Sequence, residues 1–210
     1  MEHPKLYHSK TVQRQNHTFV VEGPVSAERL QSLDMHPELK GFRRPEEQLE
    51  ALMGIASLPE GRIVVARHEA TIIGYVTFHY PDESEPWSAG KMDDLLEFGA
   101  IEVAASYRSL GLGKEMLQLA FAGGQMEHAI VFATEYYGYW DLANSKLDVW
   151  EYRKMTERLM QCVDMVWYAT DDPEICSHPA NCLLVRIGKH VPLSSIEQFD
   201  SIRFRQPFKY

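Results

Sequence analysis

The run Arg108-Ser-Leu-Gly111-Leu-Gly113-Lys114 sets two glycines between two cations. Glycine lets backbone amides approach an anion closely. A helix opening at this point would add unsatisfied N–H groups and a positive dipole end. Arg108 and Lys114 can supply full charges. The chemistry such a run serves is phosphate or pyrophosphate binding. It is not a Walker loop, because one residue separates Gly111 from Gly113 and Glu115 follows Lys114. A dinucleotide fingerprint would need a third glycine where Met116 stands. A plain glycine turn between a strand and a helix is the alternative reading of these residues.

The elements that must position this run can be read from periodicity and turn residues. Leu95–Ala104 is a strand candidate leading into the run. A helix with Met116, Leu117, Ala120 and Phe121 on one side follows, stopping at Gly123-Gly124. Upstream, residues 17–23 read as a strand ended by Gly23-Pro24, and Ser26 caps a short helix to about Leu33. Pro45, Glu46 and Glu47 open a second helix with Leu49, Leu52 and Met53 on one face. Arg62–Arg67 and Thr71–His79 form an antiparallel hairpin, and Pro81–Asp94 is an acidic loop of the kind that borders binding sites. Downstream come a strand at Ala129–Tyr136 and a helix from a capping box at Ser145-Lys-Leu-Asp148 to about Cys162. A strand at Met165–Thr170, a short helix at Asn181–Ile187 and a closing strand at Ser201–Phe208 complete the order. Strands grouped with helices in this way imply a mixed sheet covered by helices.

The bulk composition narrows the function classes. The chain of 210 residues is 45% hydrophobic and 24% charged, which suits one buried core and a single domain over 1–210. Its net charge of −9, from 21 basic and 30 acidic residues, argues against nucleic acid as a partner and suits a cationic one. No apolar window is long enough to span a membrane, and Met1-Glu-His-Pro-Lys5 lacks the order of a signal peptide, so a cytoplasmic protein is expected. Cys162, Cys176 and Cys182 read as reduced thiols. With His178 they fit no common zinc spacing, so no metal is expected. Arg203, Arg205 and Lys209 stand out in the acidic chain.

The segment Ile101-Glu-Val-Ala-Ala-Ser-Tyr107-Arg108-Ser-Leu-Gly111-Leu-Gly113-Lys-Glu-Met-Leu117 resembles motif A of the GNAT acetyltransferases. The element order over about 17–170 resembles theirs too, leaving about 171–210 as a C-terminal extension. The resemblance implies an α/β (α+β) fold, with a mixed, mainly antiparallel sheet flanked by helices, and acetyl-CoA as cosubstrate. It implies that Arg108 and the amides of Ser109, Leu110, Gly111, Leu112, Gly113 and Lys114 hold the pyrophosphate. The strand around Ile101 and Val103 would line the pantetheine and acetyl group. More narrowly, Glu135-Tyr-Tyr-Gly-Tyr-Trp-Asp141, Trp150-Glu-Tyr-Arg-Lys-Met155, Thr170-Asp-Asp-Pro-Glu-Ile175 and His178-Pro-Ala-Asn181 with Arg186-Ile-Gly188 resemble the acetoin-utilisation acetyltransferases of Bacillus-type bacteria. That narrower resemblance implies a protein substrate: a catalytic lysine of acetyl-CoA synthetase, switched off by acetylation.

A lysine amine, with a pKa near 10.4, must lose a proton before it attacks a thioester. GNAT enzymes often place a carboxylate on the strand before motif A, which makes Glu102 the first candidate base and Glu97 the second. An odd spacing puts these two on opposite faces of a regular strand, unless a bulge intervenes. The Val103 amide is the candidate oxyanion donor. The tyrosine that GNAT enzymes frequently use as general acid has no counterpart in Arg158-Leu159-Met160, and Tyr152 lies earlier. Tyr136, Tyr137, Tyr139 and Trp140 either line the lysine approach or pack on the core. An acetyltransferase of small amines and an acyl-CoA-binding regulatory subunit are the alternative functions.

Overall fold

The computed structural model describes residues 3–204. The chain resolves into two compact units, Met1–His79 with Phe98–Gln125, and Tyr80–Glu97 with Met126–Tyr210. The first contains β1 (His8–Arg14), β2 (His17–Gly23), α1 (Ala27–Gln31), β3 (Asp34–Met35), α2 (Pro45–Ser57), β4 (Arg62–His68), β5 (Thr71–His79), the later half of β6 (Leu95–Val103) and α3 (Leu112–Ala120). Its strands run in the order β1-β2-β4-β5-β6, with β3 parallel to β5 and antiparallel pairing along β1-β2-β4-β5. Leu30, Leu39, Leu52, Ile63, Val65, Ile72 and Tyr75 form one buried cluster. Glu22 is also buried here; it accepts from Tyr7 Oη at 2.6 Å, Arg29 Nη2 at 3.0 Å and Arg67 Nε at 2.8 Å. Those partners hold its carboxyl below the usual carboxylate range despite burial that opposes the charge.

Most of the expected elements of this unit form. Ser26 caps α1 by accepting from Arg29 N, and Pro45 opens α2 with Glu46 and Glu47 in its first turn. The helix after Ser26 ends at Gln31, short of Leu33. Gly23, the last residue of β2, leaves no room for a side chain, since a Cβ there would sit 2.8 Å from the Ile63 carbonyl. Of the residues expected on one side of α3, Met116 and Leu117 are buried with Leu112 and Leu119, while Phe121 caps the helix. Strand β1 has no counterpart in the sequence reading. Val12 is its sole buried residue, so hydrophobic patterning could not reveal it.

The second unit holds the earlier half of β6, β7 (Ile130–Glu135), α4 (Leu142–Ser145), α5 (Val149–Gln161), β8 (Val166–Tyr168), α6 (Pro173–Cys176), β9 (Cys182–Ile187) and α7 (Leu193–Arg203). Leu95–Glu97 pairs parallel with β7, and β9 lies antiparallel to both β7 and β8. Trp87, Leu95, Ile130, Phe132, Leu183, Val185 and Phe199 form its core.

Three expectations fail in this unit. The helix expected at Asn181–Ile187 is strand β9, paired on both sides. It is buried from Cys182 through Arg186, and its apolar run Cys182–Val185 lacks the alternation of a half-exposed strand. The strand expected at Ser201–Phe208 begins instead inside α7, which buries Phe199 and Ile202 three apart; residues 205–208, with Arg205 and Lys209, lie outside the described residues. The helix cap expected at Ser145 is supplied by Asp148. Lys146 turns left-handed and ends α4, and Asp148 and Glu151 then form the reciprocal capping box of α5. Among the described residues no helix is long and apolar enough to cross a membrane, and no group of His, Cys, Asp and Glu is arranged to hold a metal ion.

Candidate active site

Strand β6 leaves the sheet at Val103 and passes through a short turn at Ala105–Tyr107 into the glycine run. Arg108 is extended, Ser109 has φ 67°, and Gly111 has φ 75° and ψ 11°. The left-handed region suits glycine and costs an L-residue such as Ser109 about 1 kcal/mol. Gly111 is the N-cap of α3, and its carbonyl accepts the helix's first internal bond, from Glu115 N at 3.1 Å. Helix geometry therefore leaves the amides of Leu112, Gly113 and Lys114 without intrahelical acceptors. A Cβ built on Gly111 meets nothing within 4 Å, so the space beside Gly111 itself is open. Gly113 lies inside the first turn of α3, outside the positive-φ residues. Successive amides around left-handed residues form an anion-binding concavity, strengthened by the helix dipole.

A surface depression of about 420 Å³ adjoins this loop, lined by Arg14, Ser109, Leu110, Gly111, Lys114 and Glu115 among others. Lys114 is exposed there. Arg108 donates from Nε to the Val103 carbonyl at 3.3 Å, tying the loop back to the end of β6. Ile101 and Val103 are half-buried on the same strand. These residues fit a pyrophosphate followed by an extended chain running along β6.

The two candidate carboxylates differ in environment. Glu102 is buried and doubly engaged: Oε1 accepts from the Gly41 amide at 2.8 Å and Oε2 from the Tyr75 hydroxyl at 2.7 Å. It anchors the loop between β3 and α2. Glu38 of the same loop accepts from the Ser106 amide at 2.8 Å and the Ser106 hydroxyl at 2.9 Å. Glu97 is half-buried, and burial, reinforced by Glu85 and Asp82, pushes its carboxyl up to about 7. A carboxylate with that affinity can accept and release a proton at neutral pH.

Glu102→Ala should strand the buried Tyr75 hydroxyl and free the Gly41 amide, costing about 2 kcal/mol. Hydrogen exchange at Gly41 should speed up, whereas slow exchange at wild-type rates would show that the loop is held by other contacts. Sequence reasoning missed Tyr75, Gly41, Glu38 and Ser106, because each depends on contacts far along the chain.

The aromatic cluster splits within its own unit. Trp140 stacks on Tyr152 at 5.1 Å and donates to Glu135 at 2.9 Å, so both rings pack. Burial pushes the Tyr136 phenol up to about 12. Tyr139, by contrast, is 86% exposed, and Tyr137 is exposed with its ring 4.0 Å from that of His178. Asp141 and Asp172 cap α4 and α6.

The model of the acetyltransferase (GNAT) family matches residues 27–137. The acetoin utilization protein AcuA of Bacillus subtilis (strain 168) is 54% identical over 210 residues, the full length of both chains, and that of Bacillus licheniformis is 52% identical over the same span. The crystal structure of an acetoin utilization protein from Exiguobacterium sibiricum 255-15 is 48% identical, covers 96% of each chain and superposes with a TM-score of 0.93. The glycine loop that opens α3, the mixed sheet flanked by helices and these matches establish that the chain belongs to the GNAT family of acetyltransferases and is an acetyl-CoA-dependent N-acetyltransferase.

Proposed function

We propose that this enzyme acetylates a protein: a catalytic lysine of acetyl-CoA synthetase, which is thereby inactivated in acetoin and acetate metabolism. The observation that carries this reading is an anion loop, with Gly111 at φ 75°, in a chain 54% identical end to end to an acetoin utilization protein. Acetyl-CoA supplies an activated acetyl group as its thioester. Ser109–Lys114 amides and Arg108 hold its pyrophosphate, and Ile101 and Val103 line its extended arm. The Val103 amide faces the thioester oxygen, where charge develops.

Roughly one lysine amine in 2,500 is neutral at pH 7, so a proton acceptor is needed. Glu97 takes this role because it lies on β6 at even spacing from Ile101 and Val103, and so on their face of the strand, and because burial raises its proton affinity toward working pH. Glu102, with both oxygens already engaged, holds the Gly41 loop in place. The net charge of −9 favours encounter with a lysine in a basic surround.

The reading is tested by incubating purified acetyl-CoA synthetase with the protein and acetyl-CoA, then mapping acetyl-lysines by mass spectrometry. One new acetyl-lysine, absent with Gly111→Glu, is expected. An unmodified synthetase alongside demonstrable acetyl-CoA binding would overturn the assignment in favour of a small amine substrate.

A further inference from the structure

Lys10, Val12 and Arg14 alternate along β1 and so share one face. Val12 is buried; the two cations flanking it both pair with Glu115 in the first turn of α3. Arg14 also donates from Nε to the Leu110 carbonyl at 3.2 Å, inside the anion loop. Its position is set by a two-residue turn in which Gln15 and Asn16 have φ 48° and 66°, closed by the Arg14–His17 pair.

A peptide unit is planar and trans, so its C=O and N–H point in opposite directions. Whatever holds the Leu110 carbonyl therefore sets the direction of the Gly111 N–H. Gly111 cannot do this for itself, since glycine accepts either sign of φ at little cost. We propose that Arg14 is a positioning residue for the pyrophosphate site: it braces the Leu110–Gly111 peptide so that the Gly111 N–H faces the anion. In this role Arg14 acts through the loop: its Nε–H goes to the Leu110 carbonyl, and one N–H each of Nη1 and Nη2 goes to the Gln13 carbonyl at 2.9 Å and to Glu115 at 2.8 Å. This also accounts for β1, a mostly polar strand that delivers Arg14 to the loop. The proposal rests on the acetyl-CoA reading of residues 108–114.

The test is calorimetric binding of CoA, 3′-dephospho-CoA and pantetheine to wild type, Arg14→Ala and Lys10→Ala. Arg14→Ala should weaken CoA and dephospho-CoA alike, by about tenfold, because one amide loses its preset direction. Pantetheine, which lacks the pyrophosphate, should bind as to wild type. Lys10→Ala removes a partner of Glu115 but leaves Leu110 held, so CoA affinity should change by less than about twofold. Unchanged CoA binding by Arg14→Ala would overturn the brace. A loss absent with dephospho-CoA would make Arg14 a ligand of the 3′-phosphate. Affinity restored by Arg14→Lys, which keeps the charge but not the Nε donor, would make it a ligand of the pyrophosphate, and an equal loss for pantetheine would make its role merely structural. A wild type that binds no CoA would remove the acetyl-CoA reading as well, whereas tight wild-type binding unaltered in Arg14→Ala would remove the brace alone.

Discussion

Glu97→Gln should lower kcat/KM by about a hundredfold or more, the usual contribution of a positioned base. It should also make the protein more stable above pH 7. Both effects come from one environment. Burial beside Glu85 and Asp82 raises the Glu97 carboxyl from its ordinary value to about 7. In the wild type, kcat/KM should rise with pH through about 7 in addition to the slow rise from lysine deprotonation, and the glutamine variant should lack that inflection. For stability, the folded state binds this proton more tightly than the unfolded chain. Stability is therefore fully present below about pH 4.5 and lost as pH rises through about 7, by at most about 3 kcal/mol. Glutamine carries no charge to desolvate and escapes this loss. Thermal unfolding at pH 5 and pH 8 checks it: the variant should gain on the wild type at pH 8 only. A variant that keeps the wild-type pH–rate profile would return the role of base to Glu102 or to a water.

Gly111→Glu should reduce CoA affinity at least a hundredfold while the protein stays folded. At φ 75° any L-residue pays about 1 kcal/mol of backbone strain, a cost the fold can bear. A Cβ there meets no protein atom within 4 Å and Gly111 is exposed, so no core is disturbed. The loss arises because a carboxylate would stand where the amides of α3 face an anion, opposing the charge they attract. Gly111→Ala separates the two causes: it carries the strain without the charge and should weaken CoA by only about fivefold. Isothermal titration, with a melting curve for each variant, decides this. Equal affinity for wild type and Gly111→Glu would place the cosubstrate elsewhere on the chain.

The sequence by itself determined what depends on neighbouring residues. The strand–turn–helix passage through the glycine run needed only its two glycines and the strand and helix patterns beside it, because turns and helix starts are set by local backbone groups. The hairpin at Arg62–His79, the Ser26 cap and the start of α2 at Pro45 were legible for the same reason: turn chemistry and apolar period act within a few residues. Where that local signal was weak or ambiguous, the reading failed. Strand β1 buries Val12 alone, β9 opens with four apolar residues in a row and no alternation, and the cap of α5 moved from Ser145 to Asp148 because Lys146 breaks the chain direction between them.

Tertiary structure decided the properties that distinguish one carboxylate from another. Glu97 and Glu102 look alike in the sequence, five positions apart on one strand. Only folding surrounds Glu97 with the acids of the Asp82–Glu85 loop, and only folding brings the Gly41 amide, 61 positions away, onto Glu102. Arg14 is the same case, reaching the Leu110 carbonyl from 96 positions away. A residue's type sets the chemistry available to it, but its proton affinity and direction depend on burial and on partners from distant parts of the chain, which periodicity does not encode.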